Sequence, residues 1–128
     1  MGWQPDEAIR DHFRCCRALL FPGEEDFGIV PVEAQACGAP VIAFARGGAA
    51  ETVIPPGGRA DPTGFLFRDQ SVEGLLEALE WFESHAADYS PAAARRQALP
   101  FNPRRFDDEM AAFIDHLSAG RPSMPLAA

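Results

Sequence analysis

Phe21–Val41, FPGEEDFGIVPVEAQACGAPV, joins the end of an apolar strand to an acidic loop, a short helix and the start of a second strand. The helix is predicted to begin at or just after Gly28 and to stop at Gly38, and Pro40 opens the next strand. A strand that delivers a glycine to a helix N-terminus makes an anion site, because free N–H groups and the positive end of the helix dipole point outward there. At Gly28 no side chain keeps a diphosphate from the backbone. Glu25 and Glu33 lie eight positions apart, across the loop and the helix start. Glu33, one turn into the helix, reaches back over the same crevice. A carboxylate there repels a phosphate but accepts hydrogen bonds from a pair of vicinal hydroxyls. Glu25 can serve hydroxyls on the far side. The pattern reads hydroxyls, diphosphate, hydroxyls, which is the layout of a nucleotide sugar.

On the N-terminal side, Met1–Gln4 reads as the end of a strand and its exit loop, and Pro5 suits a first helical turn. Ile9, Phe13 and Cys16 give an apolar stripe at helical spacing, and Ala18–Phe21 is a short strand. On the C-terminal side, Pro40–Phe44 is wholly apolar, as in a buried parallel strand. Arg46-Gly47-Gly48 makes a flexible turn, Ala49–Val53 at most two helical turns, and Gly64–Phe67 a third strand. Asp69 or Ser71 caps a helix with Val72, Leu75, Leu76, Leu79 and Phe82 on one face. Ala87–Phe101 is a weaker, alanine-rich helix. Asn102-Pro103 opens a last helix with an apolar stripe of Phe106, Met110, Phe113, Ile114 and Leu117. Both amphipathic helices are expected to carry much of the stability. The residues after Gly120 have no periodicity and are expected to be disordered. Strand and helix alternate, which predicts an α/β fold: a partial, Rossmann-like parallel sheet of about three strands with flanking helices.

The chain has 128 residues, enough for one modest core. Its net charge of −8 argues against nucleic acid as a partner. No apolar run approaches the roughly 20 residues of a membrane span, and no signal peptide is visible. The three cysteines, Cys15, Cys16 and Cys37, lack zinc spacing and read as reduced thiols, so a cytoplasmic location is expected. Three adjacent carboxylates, Glu24, Glu25 and Asp26, make a poor octahedral set, and neither a metal nor a cofactor is expected. All eleven cations are arginines, and Arg46, beside Gly47 and Gly48, is the only one near the candidate site in sequence. His12, His85 and His116 share no spacing and read as surface residues, and Arg95-Arg96 and Arg104-Arg105 as solvated faces.

Glu25-Asp-Phe-Gly-Ile-Val-Pro-Val-Glu33, followed by Ala-Gln-Ala-Cys-Gly-Ala-Pro-Val, resembles the paired-glutamate motif of retaining glycosyltransferases with two Rossmann-like domains, the GT-B fold, in family 4 (group 1). The likeness continues through Gly47-Gly48, Glu51-Thr52-Val53 and Gly64-Phe-Leu-Phe67. It implies that residues 1–119 are part of the C-terminal, donor-binding domain, followed by a tail at 120–128. The nearest wording is that of bacterial surface-polysaccharide transferases, many of which use GDP-mannose. By this resemblance Glu25 meets hydroxyls of the transferred sugar and is the catalytic carboxylate, and Glu33 holds the ribose diol. The segment Phe27, Gly28, Ile29 and Val30 faces sugar and diphosphate, and Gly47 and Gly48 line the donor site. The resemblance also implies an acceptor, saccharide or lipid-linked, held by an N-terminal domain, and an Arg/Lys pair upstream for the diphosphate. A chain without them is expected to be inactive alone. Two other readings stand beside this one. The first is a non-catalytic nucleotide-sugar-binding or interaction module. The second is a two-domain sugar-nucleotide epimerase, which shares the architecture but not the Glu-x-Phe-Gly core.

Overall fold

The structure is a computed structural model that describes residues 2–58 and 60–119. The tail expected at 120–128 lies outside the described residues. Three strands, β1 (Leu19–Phe21), β2 (Val41–Phe44) and β3 (Gly64–Phe67), form a parallel sheet in the order β1-β2-β3. Leu19 pairs with Val41, and Val41 with Gly64. Gly2–Pro5 form no strand, so the strand end expected there is not present among the described residues.

Helices cover both faces of the sheet, and this is why β2 can be apolar throughout. Val41 and Ala43 join Ala34, Ala39, Ala49 and Val53 in one cluster, with Phe13, Cys16, Leu19 and Phe21 packed against it. That face is covered by α1 (Asp6–Cys15), α2 (Ile29–Ala36) and α3 (Ala49–Thr52). Ile42 and Phe44 point the other way and join Phe67, Ala78 and Phe82 beneath α4 (Val72–His85). Ser71 caps α4: its hydroxyl accepts from the Gly74 N–H at 3.0 Å and donates to Asp69 at 2.9 Å. Gly38, at φ +92°, ends α2. The alanine-rich segment forms α5 (Pro91–Ala98), which buries Ala93, Ala94 and Ala98 and packs on α2.

Two expectations change. The buried line of α4 is Gly74, Ala78 and Phe82, flanked by half-buried Leu75 and Leu79, whereas Val72 and Leu76 are exposed. The last helix, α6 (Pro103–Ala119), starts as expected, with the Asn102 side chain accepting from the Arg105 N–H at 3.0 Å. Yet it buries no residue, and its apolar stripe is open along the whole helix. An amphipathic pattern specifies a face; it contributes to stability only where another element covers that face.

Candidate functional site

The loops at the carboxyl ends of β1 and β2 meet, which is where open parallel sheets bind ligands. The first loop runs from Pro22 to Gly28 and the second from Ala45 to Gly48. Gly28, at φ +75°, caps α2 in the left-handed region and turns the chain so that Ile29 and Val30 form the first helical turn. Their N–H groups precede any intrahelical partner, and Pro31 contributes none. Glu25 is exposed on the loop, and Phe27, Ile29 and Val30 are exposed around the helix start.

The Gly47-Gly48 pair touches the acidic loop through backbone. Gly48 N–H donates to the Glu25 carbonyl at 2.9 Å. A methyl group on Gly47 would overlap the Glu25 carbonyl oxygen, and one on Gly48 would overlap that of Phe27. Glycine is required here for close approach, and at Gly47 also for φ, which is +61°. The structure therefore brings Glu25, Phe27, Gly28, Gly47 and Gly48 together.

Glu33 stands one turn into α2 on its exposed face, among buried Pro31, Val32, Ala34 and Gln35. Its apolar neighbours in sequence suggested a costly charge. They point inward while Glu33 points to solvent, so no such cost arises. With Phe27 and Ile29 it lines a groove of about 1180 Å³, closed on the other side by Arg95, Leu99 and Phe101. Phe27 meets Phe101 edge to face at 5.7 Å. Glu25, Gly28, Val30, Gly47 and Gly48 lie outside this lining. Sequence reading missed Leu99 and Phe101, because the turn at 99–101 carries no periodic signal. Arg46 is exposed, with its guanidinium 5.9 Å from the centre of the Phe44 ring. His85 is half-buried: it stacks on Trp81 at 4.0 Å, and Nδ1 lies 2.8 Å from the Trp81 carbonyl.

The three thiols are unpaired, Cys15 exposed and Cys16 and Cys37 half-buried. Burial pushes the Cys16 thiol up. Among the described residues no helix is long and apolar enough to cross a membrane.

Residues 1–98 match the family described as glycosyl transferases group 1. A D-inositol 3-phosphate glycosyltransferase of Kineococcus radiotolerans is 34% identical over 91 residues, 68% of this chain and 21% of that protein. A GDP-mannose-dependent monoacylated alpha-(1-6)-phosphatidylinositol monomannoside mannosyltransferase of Corynebacterium glutamicum is 49% identical over 55 residues, 43% of this chain and 13% of that protein. The fold is similar to that of sucrose-phosphate synthase from Thermosynechococcus elongatus, with a TM-score of 0.80 at 29% identity over 94% of this chain and 30% of that one. The chain thus spans about a fifth of the length of the first of these relatives.

Proposed function

The chain belongs to the glycosyl transferases of group 1, and we propose that it is the donor-binding part of a retaining hexosyltransferase that uses a nucleotide-diphosphate sugar. The observation that carries this reading is the meeting of the acidic loop, the α2 N-terminus and the Gly47-Gly48 turn at the carboxyl ends of β1 and β2. Glu25 accepts from hydroxyls of the transferred sugar. The backbone from Phe27 to Val30 faces sugar and diphosphate, with the N–H groups of Ile29 and Val30 as donors. Glu33 accepts from the ribose diol. The leaving diphosphate assists attack by the acceptor on the same face of the sugar, and fixed dipoles stabilise the developing charge. No protein nucleophile takes part. The Corynebacterium relative is named as GDP-mannose-dependent, which supports mannose as the sugar. The acceptor is a saccharide or a lipid-linked saccharide, held by a further domain, and the unpaired thiols suit the cytoplasm. A second reading, a binding module without turnover, is favoured by the lack of any cation between Arg17 and Arg46 in the sequence.

The test is calorimetry on a fusion of this chain to the N-terminal half of a relative, with GDP-mannose and UDP-glucose against GDP and UDP. Glu33→Ala is expected to weaken sugar nucleotide and nucleoside diphosphate alike, by about 1.5–3 kcal/mol for each charge-assisted bond lost. Glu25→Ala is expected to weaken only the sugar nucleotide. The opposite pattern assigns the roles the other way round, and wild-type affinity in both variants returns the two glutamates to solvated carboxylates. The 128-residue chain alone is expected to give no transfer above uncatalysed donor hydrolysis.

A further inference from the structure

The backbone beneath Glu25 is tied to a buried residue that no motif reading assigns. Glu25 is exposed, so its place depends on where its main chain is held. One hold is the Gly48 N–H at 2.9 Å from the Glu25 carbonyl. Gly48 in turn stands at the head of α3, and its own carbonyl takes two bonds from one residue. The Thr52 N–H donates to it at 3.0 Å, and the Thr52 hydroxyl donates to it at 3.0 Å. Thr52 is 2% exposed. Its carbonyl accepts from Gln97 Nε2 at 3.1 Å, which ties the turn to α5. The contact is also sterically tight, since neither Gly47 nor Gly48 has room for a methyl group against the acidic loop. Movement of α3 is therefore passed directly to the main chain of Glu25 and Phe27.

We propose that Thr52 is a positioning residue: through Gly48 it fixes the backbone of the acidic loop, and with it the carboxylate of Glu25. The part that concerns ligand rests on the donor-binding reading above; the mechanical part does not.

Hydrogen exchange on the full chain tests the mechanical part. Thr52→Val keeps the side-chain shape and removes the hydroxyl. It is expected to speed exchange of the Gly48 amide about 5- to 10-fold, the loss of one ordinary hydrogen bond's worth of protection. The amides of β2 keep their rates, and Thr52→Ser restores the Gly48 rate. An unchanged Gly48 amide overturns the proposal, as does an equal rise at every protected amide. Should Thr52→Val fail to fold, Gln97→Leu, which cuts the outer link from a half-buried site, is read by the same criterion. Titration of the fusion described above with GDP-mannose and UDP-glucose, against GDP and UDP, tests the ligand part. Thr52→Val is expected to lower sugar-nucleotide affinity several-fold more than diphosphate affinity, with recovery in Thr52→Ser. Equal loss for both ligands overturns the link to Glu25. A wild-type fusion that binds none of the four counts against the donor reading, and the exchange data then decide on Thr52 by themselves.

Discussion

Tyr89 packs its ring against Phe82 at 5.2 Å and Trp81 at 6.4 Å, and its buried hydroxyl has no hydrogen-bond partner among the described residues. Burial, with a smaller contribution from Asp88, pushes the phenol up to about 12 from 10. The folded state holds this proton more tightly than the unfolded chain. Its contribution to stability is therefore fully present below pH 10 and is lost as pH rises through about 12. Tyr89→Phe removes both the unmet hydroxyl and the titration. The variant is expected to be as stable as wild type or more so at pH 7, with a flatter decline above pH 10, as read by urea midpoints across that range. Glycines give a second contrast. Gly48→Ala drives a methyl group into the Phe27 carbonyl and is expected to cost more than about 2 kcal/mol, whereas Gly23→Ala, in open space, stays within about 0.5 kcal/mol. At this scale the sequence was readable where backbone geometry depends on residue type: the helix start at Gly28, with Glu25 exposed before it and Glu33 exposed one turn in, stands as expected. The need for glycine at Gly47 and Gly48 was not readable, because it comes from the approach of a loop twenty residues away in the chain.

Among the elements, α4 and α5 show where pattern and packing part company. Counting large apolar side chains put Val72 and Leu76 in the buried face of α4, yet the helix sits on the sheet through Ala78 and Phe82, and Gly74 lies against Asp69. Small residues let a helix approach closely, and a count of bulky ones gives them no weight. The same oversight made α5 look weak, although its alanines are what allow it to lie against α2. Phe82→Ala is expected to cost about 3–5 kcal/mol and Leu79→Ala, at a half-buried site, about 2 kcal/mol. Leu76→Ala and Glu77→Ala, both on the open side, should change stability by no more than about 0.5 kcal/mol. Chemical denaturation of the four variants checks the order; a Leu76→Ala loss equal to that of Phe82→Ala would restore the face read from the sequence.

Over the whole molecule, strands and their alternation with helices were legible because β2 is apolar on both faces, and that requires cover on both sides. What covers each helix was not, and α6 is the clearest case. Because α6 buries nothing, a chain ending at Asn102 is expected to unfold with a midpoint within about 5 °C of the full chain. A drop well beyond that in a thermal scan would mean that α6 supports the core. The sheet has one more property, and it concerns time. Strand order follows chain order: residue 19 meets residue 41, and residue 41 meets residue 64. Each pairing closes a short loop that contains its own crossover helix, so the entropy of closure stays low and no strand waits for a partner made much later. β1, α2 and β2 are consecutive in the chain and can pair before α4 packs on them. The acidic loop lies inside that unit and the Gly47-Gly48 turn directly after it, so their meeting needs no partner from far along the chain.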